Sequence, residues 1–307
     1  MSIVDWIGET GAHLRRHGIV DGCKQSARDF HYGAMRRLDR GLHSTGLNPG
    51  RHVLNEEWDA LVILDGCRFD LMDEVHPDYP YISSIRPFTS LAGGSLSWMH
   101  RTFDDDRDLS DVGYVTANPF SAEALTPARF GAFDEVWRYA WDDDVGTVRA
   151  SDVTESAIDV GRSTDVDRLI VHYMQPHHPF VPDPIAAGIN KDDPTEHGKT
   201  VWEMLRDGEL SRSDAWSGYR ENLRYVLDDV ERLLTNVDAP QTVLTADHGN
   251  ALGEQWIHGH GDYPIPALRR VPWCEATARD EETINPEIER AHVETDIEDQ
   301  LRDLGYR

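Results

Sequence analysis

The stretch Thr242–Val243–Leu244–Thr245–Ala246–Asp247–His248–Gly249 constrains this chain more than any other. An apolar, β-branched run stops on a carboxylate and an imidazole. Such a run reads as a strand buried on both faces of a parallel sheet. Open parallel sheets carry their chemistry at the C-terminal strand ends. Carboxylate and imidazole donors together suit a hard or borderline divalent cation. Gly253–Glu254, Gly259–His260–Gly261 and Arg269–Arg270–Val271–Pro272–Trp273 follow. Asp247 and His248 are the primary candidate ligands, with His258 and His260 next. Glu254 reads as a residue that fixes the loop.

The same pattern recurs upstream. Residues 60–65 form a second continuous apolar run that ends on Asp65. Further strands are expected at 112–116, 135–139 and 169–174, and helices at 69–75, 122–130 and 148–160. The clearest helix spans 214–235, where Trp216, Tyr219, Leu223, Val226, Leu227, Val230, Leu233 and Leu234 fall on one stripe. A capping box, Thr295 and Glu298, opens a last helix that turns Ile297, Leu301 and Leu304 inward and stops at Gly305. Alternating strands and helices predict a three-layer α/β/α fold with a mainly parallel central sheet.

Acids outnumber bases 56 to 30, for a net charge of −26, and only three of the bases are lysines. A surface rich in short carboxylates and poor in lysine predicts a protein kept soluble in concentrated salt, which screens its self-repulsion. It offers no basic footprint for nucleic acid. Residues 1–51 differ: eight basic residues against five acidic ones give +3, so residues 52–307 carry −29. The spacing of Ile3, Trp6 and Ile7, then Phe30, Met35, Leu38 and Leu42, predicts two short amphipathic helices. They form either a helical extension packed on the domain or a basic surface that meets anionic lipid or a partner. The Asn48–Pro49–Gly50 turn separates this extension from a catalytic domain at 52–307. Cys23, Cys67 and Cys274 form no paired motif, so neither a disulfide framework nor a thiolate zinc site is indicated. No apolar run approaches the ~20 residues of a membrane span, and the chain's start has no signal-peptide apolar core. A high-salt cytoplasm, with peripheral membrane contact through 1–51, is the expected location.

Three other constellations carry chemistry. In Leu64–Asp65–Gly66–Cys67–Arg68–Phe69–Asp70, the buried strand-end carboxylate needs a metal, an arginine or an N–H as partner, or else acts as a helix N-cap. Cys67 reads as a small buried side chain or a nucleophile. In Gly93–Gly94–Ser95–Leu96–Ser97–Trp98, a hydroxyl stands where a helix start holds an anion, or simply caps the helix. In His172–Tyr173–Met174–Gln175–Pro176–His177–His178–Pro179–Phe180, three histidines within seven residues suit metal or anion binding.

Taken in order, these blocks resemble the sulfatase-like branch of the alkaline phosphatase superfamily, in a halophilic-archaeal form. The resemblance runs over about 52–307 and rests chiefly on the Thr245–Ala246–Asp247–His248–Gly249, Gly253–Glu254 and Gly259–His260–Gly261 blocks. It implies an alkaline-phosphatase-like fold. It implies that Asp65, Asp247 and His248 bind a divalent ion (Mn, Zn, Mg or Ca), one or with His258 and its neighbours two. It implies a hydroxyl nucleophile at Ser97 or, matching less well, Ser95, and substrate contacts from Arg68, His177, His178 and His260. The implied activity is hydrolysis or transfer of phosphate esters, glycan- or lipid-linked ones included. The alternatives are a sulfuric ester hydrolase or a non-catalytic member that binds an anionic glycan or lipid. True sulfatases use an oxidised cysteine in a Cys-x-Pro/Ala-x-Arg context, which neither Cys67 nor Cys23 has.

Overall fold

The centre of the molecule is a sheet whose middle strands have almost no solvent-facing residue, as their apolar sequences require. The structure, a computed structural model, describes residues 3–185 and 199–290 together with Ile297, Gln300, Leu301 and Leu304, and side chains from residue 22 onward. Seven strands form the sheet: β1 (Ala60–Leu64), β2 (Ser84–Thr89), β3 (Leu109–Thr116), β4 (Phe130–Glu135), β5 (Arg168–Tyr173), β6 (Ala239–Thr245) and β7 (Arg270–Ala278). Their order is β2-β7-β6-β1-β5-β3-β4. β6, β1, β5, β3 and β4 pair in parallel, while β7 runs antiparallel to both its neighbours.

The helices that position the site are α1 (Ile3–Ser44), α2 (Phe69–Val75), α3 (Ser95–Phe103), α4 (Ala150–Ser163), α5 (Val201–Asp207) and α6 (Arg212–Leu234). The pleat of β5 shows that both faces are covered, because successive side chains point to opposite sides. Tyr173 reaches Thr154 of α4 at 2.8 Å, whereas the neighbouring His172 meets Trp98 of α3 edge-on at 5.8 Å. The expected three-layer, mainly parallel α/β/α fold is what the chain adopts.

Several boundaries differ from the sequence reading. The strand expected at 135–139 lies earlier, as β4, and Val136–Arg138 is a 3-10 turn. The helix expected at 122–130 is reduced to one turn, Ser121–Ala124, and a 3-10 turn, Pro127–Arg129. The two short helices expected in 1–51 are one helix of 42 residues. Its C-terminal half is fastened to the domain. Tyr32 and Met35 pack against a small core of Ile257, Tyr263, Ile265 and Leu268. Asp39 is buried between Arg101 of α3 and Arg269 at 2.7 and 2.9 Å. Leu301 and Leu304 are buried as expected; the capping box at Thr295 and Glu298 and the stop at Gly305 lie outside the described residues. No helix of the described residues is long and apolar enough to cross a membrane.

Candidate metal centre and nucleophile

Four parallel strands deliver side chains to one point at their C-terminal ends. β1 runs straight into Asp65, β6 into Asp247 and His248, β5 contributes His172, and the turn after β3 contributes Asn118. All five side chains are buried. Gly66 makes the turn after Asp65 at φ +69°, where a Cβ would stand 2.5 Å from the Asn250 amide. Its N–H donates to Asp247 Oδ1 at 3.1 Å, and the His248 N–H donates to the same oxygen at 2.8 Å. The Tyr219 hydroxyl, from α6, donates to the Gly66 carbonyl. Asp65 Oδ2 accepts from the Asn118 amide at 2.8 Å.

Asp65, Asp247 and His248 bring one ligand atom each to within 4.8 Å of the others. Ser95, the first residue of α3, joins them. Its Oγ lies 3.2 Å from Asp65 Oδ2 and 3.1 Å from His248 Nε2. The His248 tautomer follows from its other nitrogen, which sits 2.9 Å from the Gly249 carbonyl and so must carry the proton. Nε2 then presents a lone pair. Around it stand Asp65 Oδ1 at 3.5 Å, Asp247 Oδ2 at 3.6 Å and Ser95 Oγ. Acceptor atoms thus converge at one buried point around the Ser95 hydroxyl. Among the described residues, Asp247 Oδ2 and the facing His172 Nε2 have no hydrogen-bond partner. His172 Nε2 is 3.9 Å from Asp65 Oδ2 and 3.8 Å from Asp247 Oδ2, and Tyr114 holds its Nδ1 at 2.9 Å. Buried polar atoms left unpaired are costly, and a divalent cation is the group that would satisfy this donor set.

A layer of imidazoles lies beside the cluster. His260 stacks on His248 at 4.8 Å, and its Nε2 is 3.0 Å from His177 Nε2. His177 Nδ1 faces the His178 carbonyl at 2.6 Å and therefore carries a proton. The His177–His260 bond is then made by a proton on His260. Burial, reinforced by neighbouring imidazoles, holds both rings well below the usual histidine pKa. Burial also brings His178 and His172 down to about 4, the latter against the opposing charge of Asp247.

The structure brings together Asp65, Asp247, His248, Ser95, His177 and His260. It places the other candidates elsewhere. Ser97, preferred in the sequence reading, is two residues further along α3 and its Oγ donates to Asp262 Oδ2 at 2.7 Å, away from the cluster. Arg68 is committed to Asp70, Glu254 and the Asn250 carbonyl at 2.6, 3.0 and 3.0 Å. His258 sits in a two-residue ribbon paired with Leu252. His178 stacks behind His177 at 4.7 Å, against Trp202. Cys67 is buried in the apolar core with its thiol pushed well up by that burial. Asn118 escaped the sequence reading, although an Asn-Pro step after a predicted strand end was a usable signal.

No family model matches the chain, and no curated protein matches its sequence. Solved structures do resemble it at 13–15% identity. The integral membrane lipooligosaccharide phosphoethanolamine transferase A of Neisseria meningitidis aligns over 72% of this chain with a TM-score of 0.48, and the chain spans 47% of that protein. The periplasmic domain of EptC from Escherichia coli, solved with Zn, aligns over 74% of this chain and 75% of its own with a TM-score of 0.46. The chain is also similar to a phosphonate monoester hydrolase of Agrobacterium radiobacter, over 71% and 67% of the two chains with a TM-score of 0.41.

Proposed function

We propose that this chain is a metal-dependent hydrolase or transferase of phosphate esters, with Ser95 as its nucleophile. The observation that carries the reading is the position of Ser95 Oγ, 3.2 Å from Asp65 Oδ2 and 3.1 Å from the His248 Nε2 lone pair. A hydroxyl in an ordinary helix cap has no reason to face a carboxylate and an imidazole lone pair together. Asp65, Asp247 and His248 would hold a divalent ion, with His172 Nε2 facing the same carboxylates. Such an ion lowers the pKa of a nearby hydroxyl and offsets charge on transferring phosphoryl oxygens.

The chain's own groups supply the rest. Asn118 and the Gly66 N–H lock the two carboxylates in place before substrate arrives. Ser95 opens a nine-residue helix, so the positive end of α3 lies where a phosphate would sit. His260, stacked on His248 and bonded to His177, would flank the substrate's anionic oxygens as a neutral imidazole. As Ser95 Oγ bonds to phosphorus the P–O bond to the alcohol would break, the proton given up by Ser95 leaving on that alcohol, and water or an acceptor alcohol would then release the phosphoryl group. The cysteine route of sulfatases has no support here, because Cys67 lies in the apolar core.

The test is acid quenching of the metal-loaded protein during turnover of a phosphodiester, followed by peptide mass mapping. The reading expects a phosphoryl group on the peptide that contains Ser95 and none in Ser95→Ala. A phosphoryl group mapped elsewhere, or turnover unchanged in Ser95→Ala, would refute it.

A further inference from the structure

The outward side of the C-terminal half of α1 is unlike the rest of the molecule. Among the exposed positions between residues 22 and 47, Lys24, Arg36, Arg37 and Arg40 are basic and none is acidic, in a chain with 56 acids. The two acids in this stretch are withdrawn: Asp29 is half-buried, and Asp39 is buried between two arginines. The same stretch of helix also exposes apolar surface. Among the described residues the exposed large hydrophobic side chains are Phe30, Leu38, Leu47 and Trp256, at 57, 52, 69 and 79% exposure. Three belong to α1 or the turn just after it.

The fourth belongs to a turn that α1 holds. Gln255 and Trp256 both lie in the left-handed region, at φ 50° and 61°. Two successive non-glycine residues there are strained, the more so when one is a bulky aromatic. His31 donates from Nε2 to the Gln255 carbonyl at 3.0 Å, and the Tyr32 hydroxyl donates to the Trp256 carbonyl at 3.2 Å. The His31 ring meets the indole edge-on at 5.9 Å. The helix therefore stabilises a turn that points an indole outward beside its own basic, apolar face.

We propose that this face docks on an anionic lipid bilayer, with α1 lying in the plane of the interface. Trp256, Leu38 and Leu47 would sit at the head-group boundary, and Arg37 and Arg40 would reach lipid phosphates while their stems cover apolar surface, Arg36 being held on the Tyr263 hydroxyl at 3.0 Å. The charge balance selects the orientation: residues 52–307 carry −29 and are repelled by an anionic membrane, whereas this face is attracted. A polyanion such as nucleic acid would use the arginines but leave the indole and leucines unexplained. A second copy of the same face would set arginine against arginine. Docking here also brings the loop that runs from Trp256 to His260 to the lipid–water boundary.

The test is cosedimentation of the full chain with phosphatidylcholine–phosphatidylglycerol vesicles at low salt, with pure phosphatidylcholine vesicles as the neutral arm. The expected result is binding to the anionic vesicles alone, with a blue shift in tryptophan emission that Trp256→Ser abolishes. Arg40→Glu changes the charge by two units and should weaken partitioning roughly 25-fold, at about 5-fold per unit. Both variants should keep the wild-type melting temperature, and binding is read without substrate, so failure of the Ser95 chemistry would not affect it. Absence of binding to anionic vesicles, equal binding by Arg40→Glu, or a dimer in solution that covers Trp256 would each overturn the proposal.

Discussion

Replacing Asp39 with alanine should destabilise the whole molecule, although the residue lies in the N-terminal helix. Asp39 is 1% exposed, and its two partners, Arg101 and Arg269, have side chains only 11% and 6% exposed. The substitution leaves the buried Arg269 and the largely buried Arg101 without their ion-pair partner. Arg101 keeps the Leu91 carbonyl and Arg269 the Ser90 carbonyl, both at 2.7 Å, but carbonyls do not replace an ion. Breaking a buried pair by removing one partner costs about 3–5 kcal/mol. At roughly 2 °C per kcal/mol for a large domain, the melting temperature should fall by about 6–10 °C. Urea unfolding with an unchanged slope is the assay, since a change in midpoint alone reports stability. Activity should fall beyond what unfolding explains, because Arg101 sits on α3 six residues after Ser95, and a displacement of about 1 Å costs on the order of 100-fold in rate. A loss below about 1 kcal/mol would refute the reasoning, since it would mean that α1 lifts away and water reaches both arginines.

Other expectations concern the site. Gly66→Ala places a methyl group 2.5 Å from the Asn250 amide at a positive φ. It should weaken metal affinity by about 10–100-fold by disturbing the amide that holds Asp247, as read by calorimetric titration. Saturating metal, at about 100 times its dissociation constant, should stabilise the wild type by ~2.7 kcal/mol and Asp247→Ala by far less, as read by thermal melts with and without a chelator. His178 is buried with its pKa near 4 against 6.5 when unfolded. The unfolded chain therefore takes the proton first, and stability is lost as pH falls through the window from 6.5 to 4. Between pH 7 and pH 5 this residue alone should cost about 2 kcal/mol. The gap between denaturant midpoints at the two values should narrow by that amount in His178→Phe, the remainder belonging to His172, His177 and His260, and an unchanged gap would show that the ring is hydrated.

Asp65, Asp247 and His248 were legible as a candidate ligand cluster because each follows an apolar strand end, and the parallel pairing of β1 with β6 then brings them to one edge. Which of Ser95 and Ser97 faces the cluster was not legible, since both follow the same glycines. It is decided by long-range contacts: the Gly93 carbonyl accepts from the Gly261 N–H at 2.8 Å, and a Cβ on Gly93 would stand 2.3 Å from the Gly261 carbonyl. That approach presses the His260 loop onto the start of α3 and turns Ser95 inward. The antiparallel strand β7 was hidden because Arg269–Arg270–Val271–Pro272–Trp273 reads as a loop. Pro272 pairs in register with Pro87 of the edge strand β2, so two residues without an N–H face each other. The single long α1 was missed because its apolar periodicity is weak, and its C-terminal half is tied to the domain through Tyr32, Met35 and Asp39.

The most direct test compares Ser95→Ala with Ser97→Ala in metal-loaded protein on one phosphate ester. The structure predicts a loss of at least ~1,000-fold in kcat/KM for Ser95→Ala at unchanged metal content, and a loss of less than ~10-fold for Ser97→Ala, whose hydroxyl only braces Asp262. The reverse order, or equal activity in both variants, would contradict it.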